Sequence, residues 1–117
     1  MRIFLLAAAL FLCVVPGAHA TSSFGYSGES LDVQFVGRDF QPTFNGTIEV
    51  STGTGPRTLP VHSYMLSDYR FGESLRLDFR NPGDESLPPS FTLIVVGARA
   101  TLETGGLRLG GHFTWES

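Results

Sequence analysis

"GESLDVQF" spans Gly28 to Phe35, and "GESLRLDF" spans Gly72 to Phe79. In each, a turn-forming glycine and two polar residues precede a leucine. Leu31, Val33 and Phe35 then alternate with Asp32 and Gln34, while Leu75, Leu77 and Phe79 alternate with Arg76 and Asp78. Period two is the signature of a strand with one buried face and one wet face. Leu31, Phe35, Leu75 and Phe79 are therefore expected in the core, and Glu29 and Glu73 in solvent. A second apolar strand follows each octet, Ile48-Glu49-Val50 in one half and Leu93-Ile94-Val95 in the other. Internal duplication would produce this echo, and under it the two strands should hold equivalent places. Any pair of strands leaving turns would also produce it, and repeats with a packing role normally recur three or more times.

Outward from these octets the same grammar continues. Ser22 to Ser30 reads as a loose lead or short edge strand carrying Phe24 and Tyr26. "FNGTIEVST" supplies another strand, the "GTGP" at Gly53–Pro56 a turn, and "RTLPVHS" a short strand whose Pro60 favours a sheet edge. "YMLSDYRFG", Tyr64 to Gly72, fits neither alternation nor a helical stripe and reads as a crossover or a single helical turn. Asn81-Pro82-Gly83-Asp84 is a strong turn, with proline presetting φ and glycine permitting positive φ. "FTLIVVG" is apolar enough for a central strand, continuing through a bend at Gly97-Ala98 into "ARATLE". Glu103-Thr104-Gly105-Gly106 turns the chain into "LRL", and "GGHFTWES" gives a glycine-kinked last strand. Seven or eight short strands with at most one helical turn indicate an all-β fold, a small antiparallel β-sandwich or alternatively a small β-barrel.

The first twenty residues have the order of a secretory leader: Arg2, an apolar run from Ile3 to Val15, Pro16-Gly17, then Ala18-His19-Ala20. Thirteen apolar residues rise only about 20 Å as a helix, short of the roughly 30 Å membrane core, so cleavage after Ala20 is expected rather than anchoring. The sequence then divides into a leader, 1–20, and a single domain, 21–117. The one cysteine, Cys13, lies inside the leader, which leaves the domain free of disulfides. A chain of about a hundred residues can rely on its own core instead. Secretion or periplasmic residence follows, with no membrane attachment after the leader is removed. The leader and the arginine-only cation set point to a bacterial source.

Every one of the eight basic residues is arginine, against eleven carboxylates, for a formal charge of −3. That balance speaks against nucleic acid, which selects concentrated positive charge. Ten phenylalanines, three tyrosines and a tryptophan suffice for a core, and the signature of disorder is missing.

Candidate chemistry is sparse. A metal site would need His62 and His112 to converge with Asp68 or Glu116, and no close ligand spacing supports that. Ser63 or Ser67, His62 and Asp68 form a triad only on paper, without a nucleophile elbow. Asp84 and Glu85 are adjacent carboxylates in a turn, and the glycine pairs lack the helix and lysine of a phosphate loop. No catalysis, cofactor or metal is expected. Asn45-Gly46-Thr47 matches a glycosylation sequon, relevant only in a eukaryotic source. The segment Tyr64 to Phe71 concentrates aromatic and arginine side chains of the kind that dominate binding surfaces. Tyr64, Tyr69 and Arg70 are accordingly the candidate binding residues, and the expected role is a protein-interaction module acting on another exported protein as an inhibitor or protective partner. The alternatives are a structural subunit of an extracellular assembly and a small metal-binding domain or enzyme using His62, Asp68 and His112.

Overall fold

A computed structural model describes residues 22–115. The expected leader lies outside the described residues, as do Thr21, Glu116 and Ser117. The described residues form nine strands: β1 (Ser22–Ser27), β2 (Asp32–Asp39), β3 (Asn45–Ser51), β4 (Pro56–Thr58), β5 (Tyr64–Arg70), β6 (Ser74–Phe79), β7 (Phe91–Val96), β8 (Arg99–Thr104) and β9 (Leu107–Thr114). A 3-10 turn, Val61–Ser63, sits between β4 and β5. The all-β, antiparallel class expected from the alternation is the class observed, and its two halves belong to one continuous curled sheet.

Strand order is β4-β3-β2-β1-β9-β8-β7-β6-β5. Every neighbour in the sheet is a neighbour in sequence except β1 and β9, which pair antiparallel. The first and last strands thus stitch two meanders together, and the seam of the curled sheet falls between β4 and β5. One hydrogen bond spans that seam at the side-chain level: the Tyr69 hydroxyl donates to the Phe40 carbonyl at 2.7 Å. The strand repeat noted in the sequence becomes concrete here. β2 and β6 are each the second strand of their meander, β1 to β4 with four strands and β5 to β9 with five. Up-and-down connectivity yields that equivalence by itself, so it does not require duplication.

Leu31, Phe35, Leu75 and Phe79 are buried, and Glu29 and Glu73 are exposed, as the alternation requires. Two details differ from the sequence reading. "YMLSDYR" is neither crossover nor helix but β5, which adds a strand to the expected seven or eight. Its register against β6 shifts between Ser67 and Arg70, around Asp68 at φ +52°. A bulge there slips the alternation by one residue, so Tyr64 and Leu66 pack against the core on one side of it and Tyr69 and Phe71 on the other. Gly97-Ala98 is also not a bend within one strand. It is a two-residue hairpin, with Val96 paired to Arg99. Gly97 takes φ +63° at the first turn position, where a type II′ turn places glycine.

The register gives the curled sheet two dissimilar ends. At one end lie Ser22, Asp39, Asn45, Arg70 and Thr114, and here Phe24 is ringed by aromatic groups. Its centroid is 5.0 Å from Phe35, 4.8 Å from Phe40, 5.4 Å from Phe71 and 5.2 Å from Trp115. Trp115 is fixed in turn by its indole N–H, which donates to the Gly97 carbonyl at 2.8 Å. At the other end lie Ser27, Ser51, Tyr64, Phe79, Phe91 and Leu107. The 80–90 connection folds over it, burying Leu87. Asn81 organises that loop: its Oδ1 accepts from the amides of Gly83 and Asp84, both at 2.7 Å, and its Nδ2 donates to the carbonyls of Asp84, Leu87 and Pro88.

β1 meets β9 only along Gly25–Ser27 against His112–Thr114. Beyond Ser27 the chain turns back, with the Gly28 amide donating to the Leu31 carbonyl at 3.1 Å. The first half of β9 therefore has β8 on one flank and no strand on the other.

Candidate functional site

The loop end carries two adjoining clefts. One, of about 580 Å³, is lined by Pro60, His62, Ser63, Tyr64, Met65, Asp78, Arg80 and Pro82. The other, of about 440 Å³, passes over the ends of β6, β7 and the β8–β9 hairpin, where Ser90, Thr92, Glu103 and Arg108 line it. Asp78 and Arg80 belong to both. The floor of the first is held by backbone: the Arg80 amide donates to the Ser63 carbonyl at 2.8 Å, and the Ser63 amide to the Pro60 carbonyl at 2.9 Å. The Ser63 hydroxyl also donates to the Pro60 carbonyl, at 2.6 Å. Two prolines with fixed φ and these bonds make a preshaped wall. Met65, exposed to 68%, extends its apolar rim.

The charges are unevenly satisfied. Asp78 accepts from Arg76 Nε at 3.0 Å and from the Thr92 hydroxyl at 2.8 Å. The Arg76 hydrogen bond, helped by that of Thr92, holds the Asp78 carboxyl below its ordinary range and keeps it ionised. Arg108 pairs with Glu103 at 3.0 Å. Arg80 makes no ion pair among the described residues. The boundary between the apolar and polar clefts is thus marked by a guanidinium whose donors remain available.

The three residues nominated from sequence do not form one site. Tyr64 stands in the wall of the apolar cleft, half-buried, its phenol pushed up in pKa by desolvation. Tyr69 is at the opposite end of β5, turned inward, with its hydroxyl committed to Phe40 and its pKa pushed up to about 12 by burial. Arg70 follows it on the exposed side. Strand length is the physical reason: Tyr64 pairs with Phe79 at one end of β5 and Arg70 with Ser74 at the other, while the bulge at Asp68 turns Tyr69 to the same inward face as Tyr64 and leaves Arg70 outside. Met65, Arg80 and Pro82 were not singled out from sequence. The signal for Arg80 and Pro82 was their place beside a strong turn at the end of an alternating strand.

Among the described residues no three His, Cys, Asp or Glu side chains converge as a metal site. β9, which carries His112, is separated by β8, β7 and β6 from β5, which follows His62 and carries Asp68; Glu116 lies outside the described residues. The Asp84 carboxylate accepts from the Ser86 amide and hydroxyl at 2.9 and 2.7 Å, which lowers its pKa and commits it to shaping the loop. No Asp, Glu, His or Arg among the described residues is buried. No family model, curated protein or solved structure matches the chain.

Proposed function

We propose that this chain is an exported protein-interaction module that holds an extended segment of another exported protein in the groove at its loop end. The observation that supports the reading is the pair of adjoining clefts with Arg80 between them. Tyr64 and the two prolines offer an apolar surface with little side-chain entropy to lose, and the flexible Met65 can adapt to what lies on it, the kind of wall that accepts an aliphatic or aromatic anchor. Arg80 adds a bidentate donor for a carboxylate next to that anchor. The segment that fits is an apolar residue followed by an acidic one, in a partner whose shape the module blocks or protects.

Affinity capture from the native envelope or medium tests this. Tyr64→Ala combined with Arg80→Ala should lose the captured protein, while Arg70→Ala, at the opposite end of β5, should keep it. Equal capture by the Tyr64 and Arg80 variant overturns the reading. A structural subunit of an extracellular assembly is the second reading, favoured by the unpaired flank of β9.

A further inference from the structure

The β8–β9 hairpin turns through Gly105-Gly106, so Thr104 and Leu107 flank it as a hydrogen-bonded pair. The ladder continues with Leu102 opposite Leu109 and Ala100 opposite Gly111. The odd-numbered residues of β9 therefore spend their N–H and C=O groups on β8. Those of Arg108 and Gly110 point the other way, to the flank where β1 has already turned off. Two donors and two acceptors are left in a row on an edge, a template for another strand. The side chains beside them are apolar and open: Leu107 is 62% exposed and Leu109 37%.

Gly110 sharpens this. At Gly25, Gly37, Gly46 and Gly111 an added Cβ would run into neighbouring atoms; at Gly111 it would strike the Tyr26 ring. The turn glycines, such as Gly97 and Gly105, have positive φ. Gly110 has neither constraint, with open space around a Cβ and no positive φ. A strand glycine that its own fold does not require marks a place where another chain comes close.

We infer that a second copy of this chain pairs with that edge, β9 against β9, about a two-fold axis at Leu109. This arrangement matches the open groups: Arg108 faces Gly110 of the copy and Gly110 faces its Arg108, each pair exchanging both backbone hydrogen bonds. The large cationic side chain lies across the position that has none. Centring the axis on Arg108 would instead oppose two like charges, which is unfavourable in a sheet. Leu109 meets Leu109 in the closer, non-hydrogen-bonded pair, and Leu107 is covered by the copy's strand. Arg108 enters already paired with Glu103, so no unpaired charge is introduced. The result is a self-complementary interface that continues one sheet into the next.

The register gives a direct test on protein purified from its own host, in a Cys13→Ser background. Cα atoms of a non-hydrogen-bonded pair lie about 4.5 Å apart, within disulfide reach. Leu109→Cys should give a disulfide-linked dimer on mild oxidation, and Leu107→Cys, which faces Gly111 of the copy, should not. Sedimentation of the unmodified protein should show a concentration-dependent doubling of mass. Leu109→Asp should weaken that association by roughly a hundredfold, because two leucines are lost across the axis, with an unchanged far-UV spectrum. A protein that stays monomeric at millimolar concentration, leaving the edge to a different chain, overturns the inference. So does a Leu107→Cys variant that cross-links as readily as Leu109→Cys.

Discussion

The two ends of the curled sheet are built from the same nine strands and closed by different physics. At the aromatic end, Phe24 touches Phe35, Phe40, Phe71 and Trp115, so ring packs on ring with little room to rearrange. At the loop end, a connection held by Asn81 lays Leu87 over the core and leaves two clefts beside it. One end is a hydrophobic plug, and the other is a hydrogen-bonded lid with open ground around it. The two larger clefts lie where packing is least complete; the aromatic end has a smaller one, of about 230 Å³, beside Arg38, Phe40 and Phe71.

The largest test of the contrast is Phe24→Ala. It removes the hub of the plug and should cost about 3–5 kcal/mol by denaturant unfolding. Leu87→Ala, where the loop can settle into the space, belongs near the low end of the buried-leucine range, about 2 kcal/mol. Equal losses at the two positions would break the comparison. Next is Asn81→Ala, which strips the loop of five side-chain hydrogen bonds. Water can replace several of them, so a loss of about 1–2 kcal/mol is expected, with new protease cleavage inside 80–90 and an unchanged near-UV aromatic spectrum. A collapsed near-UV spectrum would mean that the two ends are not separable.

The smallest effect concerns the seam. Tyr69→Phe removes the bond to Phe40 and should cost about 1 kcal/mol at neutral pH. The folded-state pKa of Tyr69, about 12, lies above its ordinary value of 10.0. Its contribution is therefore complete below pH 10 and is lost as pH rises through 12. Tyr26 and Tyr64 are raised as well, so the alkaline loss of stability should be reduced in Tyr69→Phe rather than abolished. An identical alkaline profile in the variant would show that Tyr69 does not hold the seam.

Strands whose two faces differ were legible directly: Leu31, Val33 and Phe35 announce β2 because burial on one side and water on the other impose period two. β5 was hidden by a single residue. Tyr64 and Leu66 keep one phase and Tyr69 and Phe71 the next, and the slip at Asp68 scrambles the alternation in any window that spans it. Gly97-Ala98 was misread for a related reason, since two residues suffice for a hairpin only when the first accepts φ > 0. At the candidate site, Tyr64 was visible as an aromatic in a dense segment. Arg80 was not, because its value lies in making no ion pair among the described residues, which depends on where Asp78, Arg76 and Thr92 come to rest. The open flank of β9 depends on how soon β1 turns away, a property of the pairing and not of "LRLGG" itself.

Because β1 begins and β9 finishes at the aromatic end, on adjacent antiparallel strands, whatever is joined to the described domain at either terminus departs from the face opposite the clefts. A tether, tag or fused domain there would leave the two larger clefts pointing outward from its support, so the same chain can be immobilised from either terminus with its loop end still presented to solution.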